Sequence, residues 1–265
     1  MLLLSLLACV GPPVEAPLDL DQLLHWFFVH RDTATDEELR AKAANLAPLI
    51  GEATRGTVTH LTEDEQAVVA MAEPADPADA TGIFITGPVA CSFPDFEVVH
   101  YALDQEGLYE TATGEESYIA YDRAYTTDLA AYEARTTPNL AWDTTYTIHP
   151  VTSTYTALIK GSMRFVPAAD ADADEPGGIG PLVVERNHLP SPATFESESS
   201  DFFAQDYQLD IMLPSGDSTI HAYAVWRDLS SATLADENEG VQNLILNGLE
   251  DFDRDTELVC AAGGF

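Results

Sequence analysis

The spacing of apolar residues changes once along this chain of 265 residues, and the change restricts the folds that the chain can adopt. Before residue 74, apolar side chains recur every three or four positions, which is the period of an amphipathic helix. After residue 82, they recur in short β-rich runs, several of them alternating, as strands do. The sequence therefore predicts an α+β fold with N-terminal helices, an antiparallel sheet of about six strands and a C-terminal helix.

The N-terminal helices are predicted from their apolar faces and their capping residues. Asp19 or Asp21 caps a first helix whose apolar face extends from Leu20 to Phe28. Residues 35–38 and 62–65 both have the Thr-x-x-Glu spacing of a capping box, so they predict the starts of a second and a third helix. Pro74 ends the third helix, and the Pro- and Asp-rich residues 74–82 form a linker.

The remaining elements belong to a predicted α+β domain at residues 83–265, which begins with a short strand at 83–86. Ser92 caps a helix that continues through Leu103. Further strands are predicted at residues 118–126, 142–149, 154–166, 182–188, 203–213 and 219–227. Residues 214–217 predict a hairpin turn between the last two strands. A closing helix is predicted at 238–249, with Cys260 in the tail after it. The other predicted segments are a signal-peptide remnant at 1–8, a Pro-rich tether at 9–18 and a helical segment at 19–73.

The balance of charge excludes one large class of partners. The chain has 45 acidic residues and 11 basic ones, which gives a net charge of −34. Such a surface repels the phosphates of nucleic acids, so binding through a basic patch is excluded. It favours cations or a basic protein partner. Because the acidic residues are spread along the whole chain, a solvated acidic surface without a specific partner explains them as well.

An uncharged apolar run at residues 2–8 ends at Cys9 and is followed by a Pro-rich stretch. The run is too short to span a bilayer, which takes about 20 apolar residues. Leu6-Leu7-Ala8-Cys9 resembles the lipobox of bacterial lipoproteins, in which the cysteine becomes the diacylated first residue of the mature chain. This resemblance implies a lipid on Cys9 and a membrane anchor. Because Val10 follows the cysteine, it also implies an outer-membrane lipoprotein of the cell envelope that faces the periplasm or the exterior. Plain secretion and a cytoplasmic location are the alternatives.

The other two cysteines, Cys91 and Cys260, form an even pair if Cys9 carries lipid. In an oxidising compartment such a pair predicts a disulfide. The alternative is two unrelated buried thiols. A catalytic cysteine is not predicted, because no local Cys/His signature surrounds either residue.

The order of the elements resembles the helix-grip arrangement of START-type lipid-binding domains, in which an antiparallel sheet wraps around a terminal helix. The resemblance implies a cavity for a hydrophobic ligand, whereas a plain α+β domain with a filled core explains the same order. Aromatic residues on predicted strands could line such a cavity, although core packing is the more frequent use of aromatic residues on strands. These residues are Trp142, Tyr146, Tyr155, Tyr223 and Trp226.

The sequence has no recognisable catalytic motif, so it predicts no catalytic residue, no metal ligand and no cofactor. The seven histidines lack metal-ligand spacing. Two alternating acidic runs, at residues 170–174 and 251–257, lack the glycine and the last acid of a calcium loop, so they are interpreted as solvated loops. The first functional hypothesis is an acidic, non-enzymatic binding or surface-structural lipoprotein. The alternatives are a hydrophobic-ligand carrier and an exported hydrolase that uses carboxylates.

Overall fold

The computed structural model describes residues 18–72, 75–116, 118–149, 154–169, 179–196, 202–230, 239–263 and 265. Cys9, residues 10–17 of the tether and the acidic run at 170–174 lie outside the described residues, so the predictions made for them stay predictions. Among the described helices, none is both long enough and apolar enough to cross a membrane.

The described residues form seven α-helices and a 3₁₀ turn at Pro77–Asp79. The helices are α1 (Leu20–His30), α2 (Asp36–Ile50), α3 (Glu63–Gln66), α4 (Phe93–Tyr101), α5 (Gln105–Thr113), α6 (Leu129–Glu133) and α7 (Glu239–Ala262). Capping boxes fix the starts of the first three, since Asp19, Thr35 and Thr62 each accept a hydrogen bond from the backbone three residues later.

The same part of the chain contains one antiparallel sheet of nine strands. They are β1 (Thr54–Thr57), β2 (Thr81–Val89), β3 (Ala120–Tyr125), β4 (Asn139–Ile148), β5 (Tyr155–Val166), β6 (Leu182–His188), β7 (Thr194–Phe195), β8 (Phe202–Ser215) and β9 (Ser218–Ser230). The strand order is β1-β2-β9-β8-β6-β5-β4-β3, and β7 pairs with β5. Gly216 has a φ of +62° in the hairpin turn between β8 and β9, a backbone conformation that glycine adopts at low cost.

The rear face of the sheet, defined as the side that carries Leu209 and Trp226, packs against α1 and α2. Its largest apolar cluster joins Leu24 and Phe28 of α1 to Leu209 and Trp226, all fully buried. The ring of Phe28 lies 5.4 Å from the ring of Trp226. Apolar residues at helical spacing on α1 and alternating residues on β8 and β9 therefore meet in one core.

The opposite side, the cavity face, carries Asp210 and Tyr223 and is covered by α4, α5 and α7. Ile85 of β2 and Leu246 of α7 belong to one buried apolar cluster, which holds the N-terminal half of α7 against the sheet. Near its C-terminal end, α7 is joined to the β2–α4 connection by the Cys91–Cys260 disulfide. The sheet thus lies between two helical layers, with α7 over the cavity face.

The predicted fold class is confirmed, and several element predictions need correction. The sheet has nine strands within the described residues rather than about six, and β1 lies inside the segment predicted to be helical. Helix α3 has only four residues, whereas α5 and α6 were not predicted. Helix α7 continues to Ala262 instead of ending near residue 249, so Cys260 lies in its last turn and not in a tail. The acidic run at 251–257 is part of this helix and not a loop, because the apolar face of α7 extends past Leu249 to Val259.

Candidate functional site

A cavity of about 260 Å³ lies between the cavity face of the sheet and the helices that cover it. His100 of α4, Gln105 of α5 and Phe252 of α7 close it from the helical side. Tyr118, between α5 and β3, and strands β3, β4, β5, β6, β8 and β9 supply the rest of its lining. Its volume is slightly below the range of about 300–1,000 Å³ that is usual for small-molecule pockets.

Four tyrosines form one wall of the cavity, with successive rings in edge-to-face contact. The ring of Tyr118 lies 5.4 Å from that of Tyr121 and 5.5 Å from that of Tyr146. The ring of Tyr146 lies 6.3 Å from that of Tyr155. Tyr223 on β9 is the fifth cavity tyrosine. Burial raises the pKa of all five phenols, so near neutral pH they stay protonated and can donate hydrogen bonds.

Two buried carboxylates lie side by side on the cavity face. Glu185 of β6 and Asp210 of β8 are direct partners in the strand register. Glu185 accepts a hydrogen bond of 2.7 Å from the side-chain amide of Asn187, and its other oxygen lies 2.9 Å from Nδ1 of His100. The second ring nitrogen of His100, Nε2, is buried and has no hydrogen-bond partner among the described residues.

Asp210 belongs to a carboxylate–imidazole–carboxylate chain. His221, which is completely buried, places Nε2 at 3.0 Å from Asp210 and Nδ1 at 2.8 Å from Asp253 of α7. Burial lowers the pKa of His221, but the charge of Asp253 and the hydrogen bonds to both carboxylates outweigh it and raise that pKa to about 10. Burial also raises the pKa of Asp210 to about 6, although the hydrogen bond from His221 opposes the shift.

Two arginines of the lining are held by fixed oxygen acceptors. Arg227 donates to both carboxylate oxygens of Asp206, at 3.2 and 2.9 Å. Arg123 donates to the backbone carbonyls of His100 and Ala102 at the end of α4, and its Nη2 donates to the side chain of Gln105. These carbonyls carry the partial negative charge of a helix C-terminus, which offsets part of the charge of Arg123.

Helix α7 is fixed over the cavity by polar contacts as well as by the disulfide. Glu257 accepts a hydrogen bond of 2.7 Å from the backbone nitrogen of Ala90, and Thr256 lies 2.6 Å from the hydroxyl of Tyr109 on α5. The ring of Phe252 lies 5.9 Å from that of Tyr223. Because Asp253 reaches His221 from the same helix, α7 contributes both to the roof of the cavity and to its charge.

The structure separates the residues that the sequence analysis had singled out. Trp142, Tyr146, Tyr155 and Tyr223 line the cavity, and they also pack in or against buried apolar clusters, so both interpretations of these four hold. Trp226 belongs to the rear core instead. Cys91 and Cys260 are bonded to each other, with their Cα atoms 5.5 Å apart.

Sequence reasoning missed the polar part of the site. The signal was present in β8, where Asp206, Gln208 and Asp210 alternate with apolar residues. This pattern normally indicates a strand with one solvated side, but in the structure α4 packs on that side of β8 and α7 packs beside α4. His100, Glu185 and His221 are distant in the sequence and carry no local motif, so only the fold brings them together.

The arrangement can bind polar groups and exchange protons. Among the described residues, no cluster of three or more acidic, histidine or cysteine side chains is placed to hold a metal ion. A carboxyl group with a pKa near 6 can both donate and accept a proton at neutral pH, as general acid–base catalysis requires. Convergent polar groups with shifted pKa values are typical of hydrolase sites, and Asp210 and His221 have this feature.

Comparisons with known proteins give matches among solved structures and none among sequences. No protein-family model matches the chain, and no curated protein matches it significantly. Human STARD10 is a similar structure, with 9% identity, a TM-score of 0.46, and 87% of this chain and 81% of that chain covered. The human StarD13 (DLC2) lipid transfer and protein localization domain has 9% identity and a TM-score of 0.42, with 85% and 94% covered. A START superfamily protein from Mycobacterium smegmatis has 13% identity and a TM-score of 0.35, with 66% and 94% covered. At these identities and TM-scores, the ligands of those proteins do not carry over to this chain.

Proposed function

We propose that this protein binds a small organic ligand that has both an apolar ring and polar groups, in the cavity under α7. One observation carries the proposal: beside the cavity, β8 places the polar residues Asp206, Gln208 and Asp210 on the cavity face, whereas the residues that alternate with them on the rear face are apolar or aromatic. Asp206 and Asp210, on the cavity face, are at most 2% exposed, and Leu209, on the rear face, is fully buried.

A filled protein core does not explain this arrangement. Burying a polar group without a partner costs roughly 1–3 kcal/mol in proteins, so polar groups are retained inside where they bind something or hold one another in place. Here they hydrogen-bond to one another and also surround an open volume, which a filled core would not contain. The arrangement is that of a binding site, in which a few convergent polar groups orient a ligand among aromatic side chains.

The lining also specifies the ligand more narrowly than the hydrophobic-carrier hypothesis did. A long acyl chain in this cavity would lie against Glu185, Asp210 and Arg227 and would remove their charges from water without replacing the lost hydrogen bonds. A compact ligand with a ring can instead stack on the tyrosine wall and hydrogen-bond to the polar side. We therefore propose that the protein is a ligand carrier, and that its ligand is a small amphipathic molecule instead of a lipid.

The proposal is tested with 2-phenylethanol, a neutral probe with one ring and one hydroxyl, whose binding is measured by ligand-observed NMR and by tryptophan fluorescence. Ile159 on β5 lines the cavity, whereas its neighbour Leu158 is 36% exposed on the other side of the sheet. Ile159→Trp fills the cavity and is expected to weaken binding by at least about ten-fold, a loss of roughly 1.4 kcal/mol. Leu158→Trp, the matched control, should bind as the wild type does.

Folding of both variants is checked by circular dichroism and thermal unfolding. If Ile159→Trp does not fold, Ile148→Phe at another lining position replaces it. Absence of saturable binding to the wild-type protein, or equal weakening in the cavity variant and the control, would contradict a ligand site under α7.

A further inference from the structure

We infer that the ligand of this cavity is a small organic cation, an amine or a quaternary ammonium compound with a ring. The inference rests on the proposed function and narrows it to one charge class of ligand. It is carried by the two adjacent buried carboxylates, by the shortage of positive charge around them and by the aromatic rings that face the same space.

Two adjacent carboxylates are buried in the cavity face. Glu185 and Asp210 are direct cross-strand partners on the cavity face, and both are less than 5% exposed. Like charges directly opposite each other on neighbouring strands destabilise a sheet. The imidazolium of His221 offsets part of this repulsion, and a cation placed between the two carboxylates and the tyrosines would offset more of it.

The fixed positive groups do not neutralise the site. The carboxylates of the cavity lining and of the ion-pair network connected to it are Glu185, Asp206, Asp210 and Asp253, of which Asp206 is connected through Arg227 and Asp253 through His221. The positive groups facing them are Arg123, Arg227 and the imidazolium of His221. One negative charge is left over. Protonation of His100 would cancel this charge. It would also place an N–H at Nε2, which is buried and has no acceptor among the described residues, and an unsatisfied buried donor costs free energy.

The aromatic rings supply the second kind of contact that organic cations use. Ammonium groups are attracted to the faces of tyrosine and tryptophan rings within about 6 Å. Tyr223 lies directly across the strand pair from Asp210, and the ring of Phe252 is 5.9 Å from it. Arg123 already uses the rings of Tyr121 and Trp142 in this way, at 5.7 and 5.0 Å. The imidazolium of His221 stacks on the ring of Tyr223 at 5.7 Å, whereas the rings of Tyr146 and Tyr155 have no cation over them among the described residues.

The net charge of the whole chain also favours a positively charged ligand. Its net charge of −34 raises the local concentration of cations and lowers that of anions near the surface. This long-range effect does not select between cations, so the specificity comes from the cavity. It does work against a carboxylate ligand that would pair with Arg123.

The test compares three probes that share a benzene ring: 2-phenylethylamine, 2-phenylethanol and 3-phenylpropionate. Dissociation constants are measured by calorimetry at pH 7.5 in physiological salt, where surface charges more than about 8 Å away are largely screened. The ammonium probe is expected to bind at least about ten-fold more tightly than the alcohol. The carboxylate probe should bind most weakly.

A matched pair of variants separates the cavity charge from the surface charge. Asp210→Asn removes one carboxylate that lines the cavity, and Asp122→Asn removes one that is exposed on β3. The first should remove most of the preference for the ammonium probe, because it lowers the affinity for that probe by a larger factor than the affinity for the alcohol. The second should leave both affinities unchanged. If Asp210→Asn does not fold, Glu185→Gln replaces it.

The pH dependence of ammonium binding tests the role of the Asp210 carboxyl group in a second way. Asp210 faces Glu185 of β6, His221 of β9 and, through His221, Asp253 of α7, while His100 of α4 acts on it electrostatically. As the pH falls from 7.5 to 5, Asp210 takes up a proton near pH 6 and loses its charge. Binding of the ammonium probe should therefore weaken more in the wild type than in Asp210→Asn.

The outcomes distinguish the two proposals. Equal affinities for the ammonium and alcohol probes would overturn the cation inference and leave the ligand site in place. Tightest binding of 3-phenylpropionate would also overturn it and would point to Arg123 as the anchor of an anion. Binding of none of the three would overturn the proposed function and this inference together.

Discussion

Gly161 on β5 is the strand partner of Trp142 on β4, and the indole lies over the glycine, where a side chain would otherwise stand. A Cβ atom built on Gly161 would overlap the indole nitrogen of Trp142 and lie 2.5 Å from the side-chain oxygen of Asn187. Both of these residues line the cavity. The absent side chain at position 161 therefore sets the position of one cavity wall.

Gly161→Ala is expected to lower the free energy of unfolding by about 1–3 kcal/mol, because overpacking displaces the indole. It should also shift the emission of Trp142 and weaken the binding of 2-phenylethanol. Gly248→Ala is the matched control: a Cβ there meets nothing within 4 Å, and the position is in the middle of α7. Alanine favours a helix, so this variant should be more stable by about 0.5–1 kcal/mol. Urea denaturation measures both, and a Gly161→Ala protein as stable as the wild type would contradict the packing described for Trp142.

Helix α7 closes the cavity because it is held against the sheet at both of its ends. Its N-terminal half packs by apolar contacts, and the Cys91–Cys260 disulfide fixes its other end across a separation of 169 residues. Closing so long a loop stabilises the folded state by up to about 4–5 kcal/mol in the chain-entropy model, and removing a native disulfide often costs about 2–5 kcal/mol.

The double variant Cys91→Ser/Cys260→Ser should therefore lose roughly 2–4 kcal/mol of unfolding free energy. Because the bond holds α7, backbone amide exchange should accelerate in α7 and at the start of α4 and stay unchanged in α1 and α2, which pack on the rear face. Reductant should destabilise the wild type and leave the double variant unaffected. An oxidised wild-type protein that gains nothing over the double variant would show that apolar packing alone holds α7.

The sequence predicts elements well where a local signal exists. The capping residues Asp19, Thr35 and Ser92 place the starts of α1, α2 and α4 correctly, and β6 is found with its observed bounds. The end of α7 is missed, because the acidic residues after Leu249 conceal an apolar face that continues to Val259. Strand β1, with only four residues and no buried side chain, carries too little pattern to be predicted.

The candidate site is less predictable than the elements for a physical reason. The aromatic residues of the lining have a recognisable preference for strands, so four of them could be named in advance as residues that could line a cavity. The charged residues gain their role only when α7 covers the cavity face, because the same side chains would be ordinary surface groups on an open sheet. Asp253 illustrates this: it lies in an acidic run interpreted as a loop, yet in the structure it pairs with a fully buried histidine.

At the scale of the whole molecule, the charge of the protein determines how it could be held at a membrane. A chain with a net charge of −34 is repelled by anionic lipid headgroups, so its surface cannot supply the attachment that the lipobox-like residues imply. One acyl chain gives only marginal membrane binding, whereas two give a stable anchor. We therefore propose that a diacylated Cys9 attaches the protein to the envelope and that the acidic folded part stays away from the lipid surface.

If Cys9 carries the lipid, all three cysteines are covalently modified, because Cys91 and Cys260 form a disulfide. Intact-mass analysis of protein isolated from its native cells should show the loss of residues 1–8 and two or more acyl chains on Cys9. Denaturing, non-reducing thiol titration should find no free sulfhydryl, since Cys91 and Cys260 are bonded to each other. Cys9→Ser should leave the folded part and its thiol count unchanged and move the protein into the soluble fraction, because only the lipid holds it at the membrane. Native protein recovered in the soluble fraction with Met1 retained would refute the anchor, and the ligand site under α7 would then belong to a protein free in solution.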